Sequence, residues 1–382
     1  MKYCTRCLYP DTKPDLTFDD LGVCSACQAF DARTAIDWDV RMMEFQRVVI
    51  DTKSEAAERN APYDCVVPVS GGKDSHYQIL TALDWGLKVL AVTAETDHLS
   101  DIGRRNLDNI SRLGVDHIEV KTNPIIRREI NRYTLEIIGD ISWAEHITIF
   151  SIPIRIASMM RIPLIIWGEN PQNEYGGPAK AQTAIALTQD WLNEFGGLNG
   201  LRVDDVETAI GPIGELYRHP GDVSVNGIFL GQFFPWDGMA NAKKAMERGF
   251  EVVNQHHVEG SYGNYENLDN YQTGIHDYFK YLKFGFGRAT DILSNHIRRG
   301  KITRQDAIPI VAERDGAFPA FYLGKPLKEI LKPLWVEIGY FLEICDTFTN
   351  QSLFDGSHVR GDIRPKFNLL ERSEDGQDSQ KA

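Results

Sequence analysis

"DCVVPVSGGKDSHYQ", residues 64–78, sets a short apolar run, two glycines, a cation and an anion in direct succession. The run "DCVVPVS" reads as a buried strand, and "SHYQILTALDWG" carries apolar residues at helical spacing up to Gly86. Between them, Gly71 and Gly72 remove side chains, so consecutive backbone N–H groups can face an anion at the N-terminus of a helix. Ser70 and Ser75 add hydroxyl donors, and Lys73 adds a positive charge. Asp74 would repel phosphate on its own; beside a polyphosphate it makes sense as a ligand for Mg²⁺. The order differs from a Walker A loop, which needs a longer spacer ahead of its Gly-Lys pair. A plain glycine turn capped by polar residues is the bland alternative. The strand before and the helix after favour a cradle for a pyrophosphate group and its metal.

Working outward, the chain keeps alternating. "LKVLAVTAE" (87–95) is a second strand, "DIGRRNLDNISRLG" (101–114) a helix closed by Gly114, and "DHIEVKTN" (116–123) a third strand. "PIIRREINRYTLEIIGD" (124–140) is a helix opened by Pro124, and "AEHITIFSIPIRIASMMR" (144–161) is a further helical stretch. "IPLIIWGEN" (162–170) is a fourth strand. Strands alternating with amphipathic helices predict an α/β fold with a parallel sheet covered on both faces. Ligands of such sheets sit beyond the carboxyl ends of the strands. The glycine loop (70–75), "TAETD" (93–97) and "GEN" (168–170) all fall there. After residue 171 the rhythm is lost. "GIFLGQFFPWDG" (227–238) reads as a strand and a turn, and the chain from about 250 reads as mostly helical. The polar tail "RSEDGQDSQKA" is expected to be disordered. The expected organisation is a cysteine module over 1–40, the α/β core over 41–180, an insertion over 181–250, a helical region over 251–370 and a tail over 371–382.

The cysteine module rests on "CTRC" (Cys4, Cys7) and "CSAC" (Cys24, Cys27), separated by 16 residues. Two residues between cysteines let both thiolates reach one ion, and two such turns complete the four-sulfur shell of structural Zn²⁺. A redox pair and an iron–sulfur cluster are the alternatives. Four sulfurs leave no open position for chemistry, so the module reads as structural or as a docking surface. Cys65 and Cys345 read as core filler.

Net charge is −13, from 54 acidic and 41 basic residues. Proteins that hold nucleic acid present basic surfaces, so a small-molecule substrate or a protein partner is favoured. No apolar run is long enough to span a membrane, and "MKYCTRCLYPD" lacks the apolar region of a secretory signal. The expected compartment is the cytoplasm.

"SGGKDS" between a strand and a helix resembles the PP-loop ATP pyrophosphatase superfamily, whose members cleave ATP between the α- and β-phosphates to form an adenylate. That resemblance implies ATP binding by Ser70 through Ser75, adenine contact by the backbone of Val92, Thr93 and Ala94, and approach of Gly168, Glu169 and Asn170 to the α-phosphate and the activated substrate. Some tRNA thiolases also pair a four-cysteine module with "SGGKDS", but they carry further cysteines after the loop, where this chain has only Cys345. The opening "YCTRCLYPDTKPDLTFDDLGVCSAC", with "PVSGGKDSHYQ", "WGENPQNEYGG" and "YLKFGFGRATDILSNHIRRGKITRQDAI", resembles the N-acetyl sugar amidotransferase family of O-antigen and flagellin sugar synthesis. Membership implies conversion of an acetamido group to an acetamidino group. It also implies an ammonia supply from a separate glutaminase akin to that of imidazole-glycerol-phosphate synthase. Lys73, the loop amides and Mg²⁺ on Asp74 would hold the departing pyrophosphate, and Glu169 would orient the substrate or take a proton from ammonium. Lys283 and Arg288, beside glycines 285 and 287, are candidates to reach over the phosphates. Trp236, Asp237, His256 and His257 are candidates for a sugar pocket, and His76 is expected to pack in the core.

Overall fold

The computed structural model describes residues 1–169, 174–177, 189–221 and 223–367. Asn170 and the polar tail lie outside the described residues. Helices α1 (Ser25–Thr34) and α2 (Trp38–Glu58) lead into β1 (Cys65–Pro68), α3 (Lys73–Asp84), β2 (Val89–Ala94), α4 (Asp101–Arg112) and β3 (Asp116–Val120). Then come α5 (Pro124–Ile138), α6 (Trp143–Met159), β4 (Leu164–Trp167), α7 (Gln189–Phe195), α8 (Val203–Ile210), β5 (Asn226–Phe229) and α9 (Gly238–Met246).

The five strands form one parallel sheet in the order β3-β2-β1-β4-β5. This is the α/β architecture expected from the alternation. Val66 sits opposite Leu90 on one side and Ile165 on the other, so β1 is central. Strand order reverses direction beside β1, which makes the turn after it the place where a parallel sheet opens a ligand crevice. The strands are apolar on both faces because both are covered. On one face Val67, Ala91 and Ile166 pack with Ile79 and Leu80 of α3 and Phe45 of α2. On the other, Val66, Leu90 and Ile165 meet Ile152, Ile154 and Ala157 of α6.

One helix is missing from the sequence reading, and one strand, read there as such, takes an unexpected place. Helix α2, started by Asp37 accepting from the N–H groups of Asp39 and Val40, covers the sheet ahead of the first strand. Strand β5 continues the sheet beyond β4 after some sixty residues without α/β rhythm, so part of the expected insertion returns to the core.

The C-terminal region is helical: α10 (Thr273–Phe284), α11 (Arg288–Arg298), α12 (Arg304–Arg314), α13 (Leu327–Leu331) and α14 (Ile338–Phe348). Its core is built on Phe279, Leu331 and Phe341. The cysteine module sits against α11 and α12. Leu8 packs with Ala289, Leu293 and Ile308, Tyr9 donates to Asp291 Oδ1 at 3.0 Å, and Arg304 Nε donates to the Cys7 carbonyl at 3.0 Å. No described helix is long and apolar enough to cross a membrane.

Candidate functional site

The turn after β1 is shaped from three sides. Gly71 has φ +86°, and a Cβ there would stand 3.0 Å from Leu107 Cγ and 3.1 Å from its backbone nitrogen. Only glycine both adopts that backbone and lets α4 approach so closely. Gly72 caps α3 with no side chain, leaving first-turn N–H groups without a side-chain acceptor. Ser75 Oγ accepts from the Ser70 N–H at 3.1 Å and closes the loop on itself. His76 fixes it from beneath. Its Nδ1 lies 2.9 Å from the Gly72 carbonyl, and its Nε2 lies 3.2 Å from the Asn109 amide nitrogen. Because the amide can only donate, Nε2 accepts and Nδ1–H donates to the loop. Burial pushes the His76 imidazole below its ordinary value, consistent with this neutral tautomer. His76 is therefore buried, as expected, but it braces the loop.

A cavity of about 320 Å³ opens beside the turn. Ser70, Asp74 and Ser75 line it from the loop, Val92, Thr93 and Ala94 from the end of β2, and Gly168 and Glu169 from the end of β4. Apolar walls come from Phe150 and Pro153 of α6, Trp167, Phe229 and Trp236. Thr93 Oγ1 donates to the Val69 carbonyl at 2.8 Å, tying the tips of β1 and β2 together. A Cβ on Gly168 would meet Gln78 Oε1 and Trp236 at 3.2 Å, so this residue keeps the backbone of β4 close to α3.

The charges are arranged around Lys73, which is buried behind the loop. Its Nζ lies 2.7 Å from Asp74 Oδ2 and 3.0 Å from Glu266 Oε2. Burial opposes the ammonium, but Asp74 and Glu266 outweigh it and hold Lys73 well above its ordinary value. Asp74 Oδ1 accepts from Asn241 Nδ2 at 3.0 Å. The carboxylate pair Asp74 and Glu266 suits a hard cation such as Mg²⁺, which would compete with Lys73 for them. Burial, then Glu174 and Asp74, push the Glu169 carboxyl up to about 8. Glu145, also lining the cavity, is pushed up to about 7 by burial and then by Asp97 and Asp269. Asn270 Nδ2 donates to Glu145 Oε2 at 2.6 Å.

Other expected site residues go elsewhere. Lys283 and Arg288 do not line this cavity. Lys283 Nζ donates to the carbonyls of Ile138 and Gly139 at 2.6 and 2.9 Å, capping the C-terminus of α5. Arg288 forks onto Asp277 through Nε and Nη2. Trp236 lines the cavity, Asp237 caps α9 and pairs with Lys301, His256 is exposed, and His257 lines a separate cavity. Glu266, Glu145 and Asp269 escaped the sequence reading. They lie in polar stretches or on an apolar helix with no motif around them, and only the fold brings them to the loop.

Cys4, Cys7, Cys24 and Cys27 are all buried with their sulfurs within 4.8 Å of one another. The N–H groups of Arg6, Cys7 and Cys24 point at Cys4 Sγ at 3.3–3.4 Å, as donors that would stabilise a thiolate. This donor set can hold a metal such as zinc.

Residues 259–366 match the family model described as LPS biosynthesis protein WbpG-like, C-terminal domain. The match spans α10 to α14 and does not reach the glycine loop. No curated protein matches the sequence. Among solved structures, an NMN synthetase from Francisella tularensis aligns at 16% identity over 54% of this chain and 90% of that chain, with a TM-score of 0.28.

Proposed function

We propose that this chain, which carries a WbpG-like C-terminal domain over residues 259–366, is an ATP-dependent, AMP-forming amidotransferase of lipopolysaccharide biosynthesis. Its reaction would convert the acetamido group of a nucleotide-linked N-acetyl sugar to an acetamidino group. One observation carries this reading. Ser70, Asp74 and Ser75 of the glycine loop, the tip of β2 and Glu169 line a single cavity of about 320 Å³, and Lys73 pairs with Asp74 from behind the loop.

An acetamide carbon resists ammonia because its oxygen is a poor leaving group. In the proposed reaction the amide oxygen attacks the α-phosphorus of ATP, and the bond to the β-phosphate oxygen breaks. Pyrophosphate departs and an O-adenylyl imidate remains. Loop N–H groups and Lys73 stabilise the charge that develops on pyrophosphate, and Lys73 exchanges Glu266 for a phosphate oxygen as the nucleotide settles. Mg²⁺, with Asp74 as candidate ligand, would supply further charge neutralisation there. Ammonia then adds to the imidate carbon, a proton passes to the Glu169 carboxylate, and AMP leaves with the former amide oxygen. With the carboxyl pushed up to about 8, its ionised fraction grows as pH rises, and that fraction is basic enough to accept a proton from an ammonium-like centre.

Ammonia would come from a separate glutaminase resembling that of imidazole-glycerol-phosphate synthase, in the cytoplasm where ATP is made. Cys65 and Cys345, the two cysteines outside the metal cluster, are wholly buried, and burial pushes both thiols up. Neither is placed to act as a glutaminase nucleophile. Purified chain should therefore use ammonium and leave glutamine untouched.

The test is incubation with ATP, ammonium and a panel of UDP- and CMP-linked acetamido sugars, read by mass. A product about one mass unit lighter, formed together with AMP, is expected. Lys73→Ala should abolish AMP formation while circular dichroism stays native. Absence of sugar-dependent AMP from the wild type, or full turnover by the variant, would defeat the reading.

A further inference from the structure

A second cavity, of about 310 Å³, lies between the cysteine module and α10. Three cations line it: Lys13 from the module, Lys280 from α10 and Arg288 from the start of α11. Two have their carboxylates. Asp291 takes Lys280 at 2.5 Å, and Asp277 takes Arg288 Nε and Nη2 at 3.2 and 2.9 Å. Lys13 has none. Among the described residues no carboxylate lies within ion-pair distance of its Nζ, which stands 5.3 Å from the centre of the Tyr9 ring. Asp15, exposed at the rim, is the other acidic residue of the lining. The fork onto Asp277 also leaves Arg288 Nη1 without an acceptor among the described residues. Burial pushes the Lys13 amine below its ordinary value, against the opposing pull of the Asp291 carboxylate.

Tyr175, which lines this cavity, comes six residues after Glu169 of the nucleotide crevice. Two cationic donors without a hydrogen-bonding acceptor among the described residues, and aromatic walls from Tyr175 and Phe286, describe a site for an anion joined to a ring.

We infer that this cavity receives the anionic group, phosphoryl or carboxylate, of the acetamido sugar, with Lys13 Nζ and Arg288 Nη1 as its donors. The cysteine module then forms part of the substrate site. The assignment of the ligand as the sugar substrate rests on the amidotransferase reading above.

The experiment is calorimetric binding to the full-length, zinc-loaded chain in the presence of α,β-methylene ATP, which cannot be split at the reacting bond. The probes are UDP-N-acetylglucosamine for the diphosphate, N-acetylneuraminate for the carboxylate, and neutral N-acetylglucosamine. At least one anionic probe should bind better than the neutral sugar, and the better of the two identifies the anion. Lys13→Gln should weaken that probe roughly tenfold, the loss of one charge-assisted hydrogen bond, with the nucleotide analogue bound as before. Lys13→Arg should restore most of the affinity. Anionic probes that bind no better than the neutral sugar, or equally to wild type and Lys13→Gln, would overturn the assignment. Lys13-dependent binding without any sugar-dependent AMP would keep the anion site and defeat the amidotransferase reading instead.

Discussion

Gly71 and Gly72 are neighbours with different duties. Gly71 is held at φ +86° with the backbone of Leu107 where a Cβ would go, whereas Gly72 has φ −70° and only Ser70 Oγ at 3.4 Å. Gly71→Ala should therefore destabilise the chain by about 1–2 kcal/mol from the backbone alone. Gly72→Ala should melt like wild type and lose ATP affinity if the loop N–H groups receive phosphate as proposed, because a methyl group there would crowd them. Melting curves and nucleotide titrations of the pair would separate the roles; equal stability of both variants would contradict the assignment. Glu169 offers a second check. An unfolded carboxyl releases its proton near pH ~4.3, and the folded one keeps it to about 8, so the native chain binds the extra proton between those values. Stability falls as pH rises across that window. Glu169→Gln removes the penalty. Its melting temperature should equal that of wild type below pH ~4 and exceed it by roughly 5 °C at pH ~8. At constant free ammonia the same change should lower turnover about a hundredfold. Coincident melting at both pH values would show that the carboxyl is not held protonated.

Helices α3 and α4 act together on the loop. Asn109 of α4 donates to His76 at 3.2 Å and to the Arg248 carbonyl at 2.9 Å, so one amide links loop, α4 and the segment after α9. Asn109→Ala leaves His76 Nε2 buried and unpaired, a loss of about 1–3 kcal/mol. ATP should bind several-fold more weakly, because the carbonyl of Gly72 loses its fixed donor. Unchanged affinity in the variant would mean that the loop holds its shape unaided. At this scale the sequence was legible where local signals suffice. Gly86 and Gly114 end helices, Asn123 and Pro124 begin one, and β-rich runs mark four strands. It was opaque where an element depends on distant partners. β5 is four residues long and pairs with β4 across about sixty residues, so nothing nearby announces its place. Lys283 and Arg288 show the same limit for side chains. Glycines flank them as they would at a phosphate site, yet one caps α5 and the other answers Asp277. Glu266 reaches Lys73 only because 259–272 folds back over the loop.

Across the whole molecule, the cysteine module is joined to the C-terminal helices more directly than to the sheet. Tyr9 is buried, donates to Asp291 of α11, and has the Arg298 guanidinium 5.4 Å from its ring centre. Arg298 in turn donates to the Glu174 carbonyl at 3.0 Å, and Glu174 takes Arg299, the residue that caps α11, at 2.8 Å. A metal at the four sulfurs would thus hold Tyr9 and Leu8 in place, and through them α11, α12 and the 174–177 segment. The glycine loop is held by other means: Gly71 against α4, His76 against Asn109, and β1 in the centre of the sheet. Structural zinc contributes on the order of 10 kcal/mol to small modules of this kind, far more than the remaining polar loop can replace. Chelation should therefore raise amide exchange first in residues 1–34 and 288–314, while exchange in β1 and α3 and the affinity for ATP stay near their starting values. Sugar-dependent AMP formation should fail at that same stage, since the cavity beside Lys13 loses its module wall. Simultaneous loss of ATP affinity and module protection would mean that the metal supports the nucleotide crevice directly, and that the division of the molecule into a sheet-borne phosphate site and a metal-borne substrate wall is wrong.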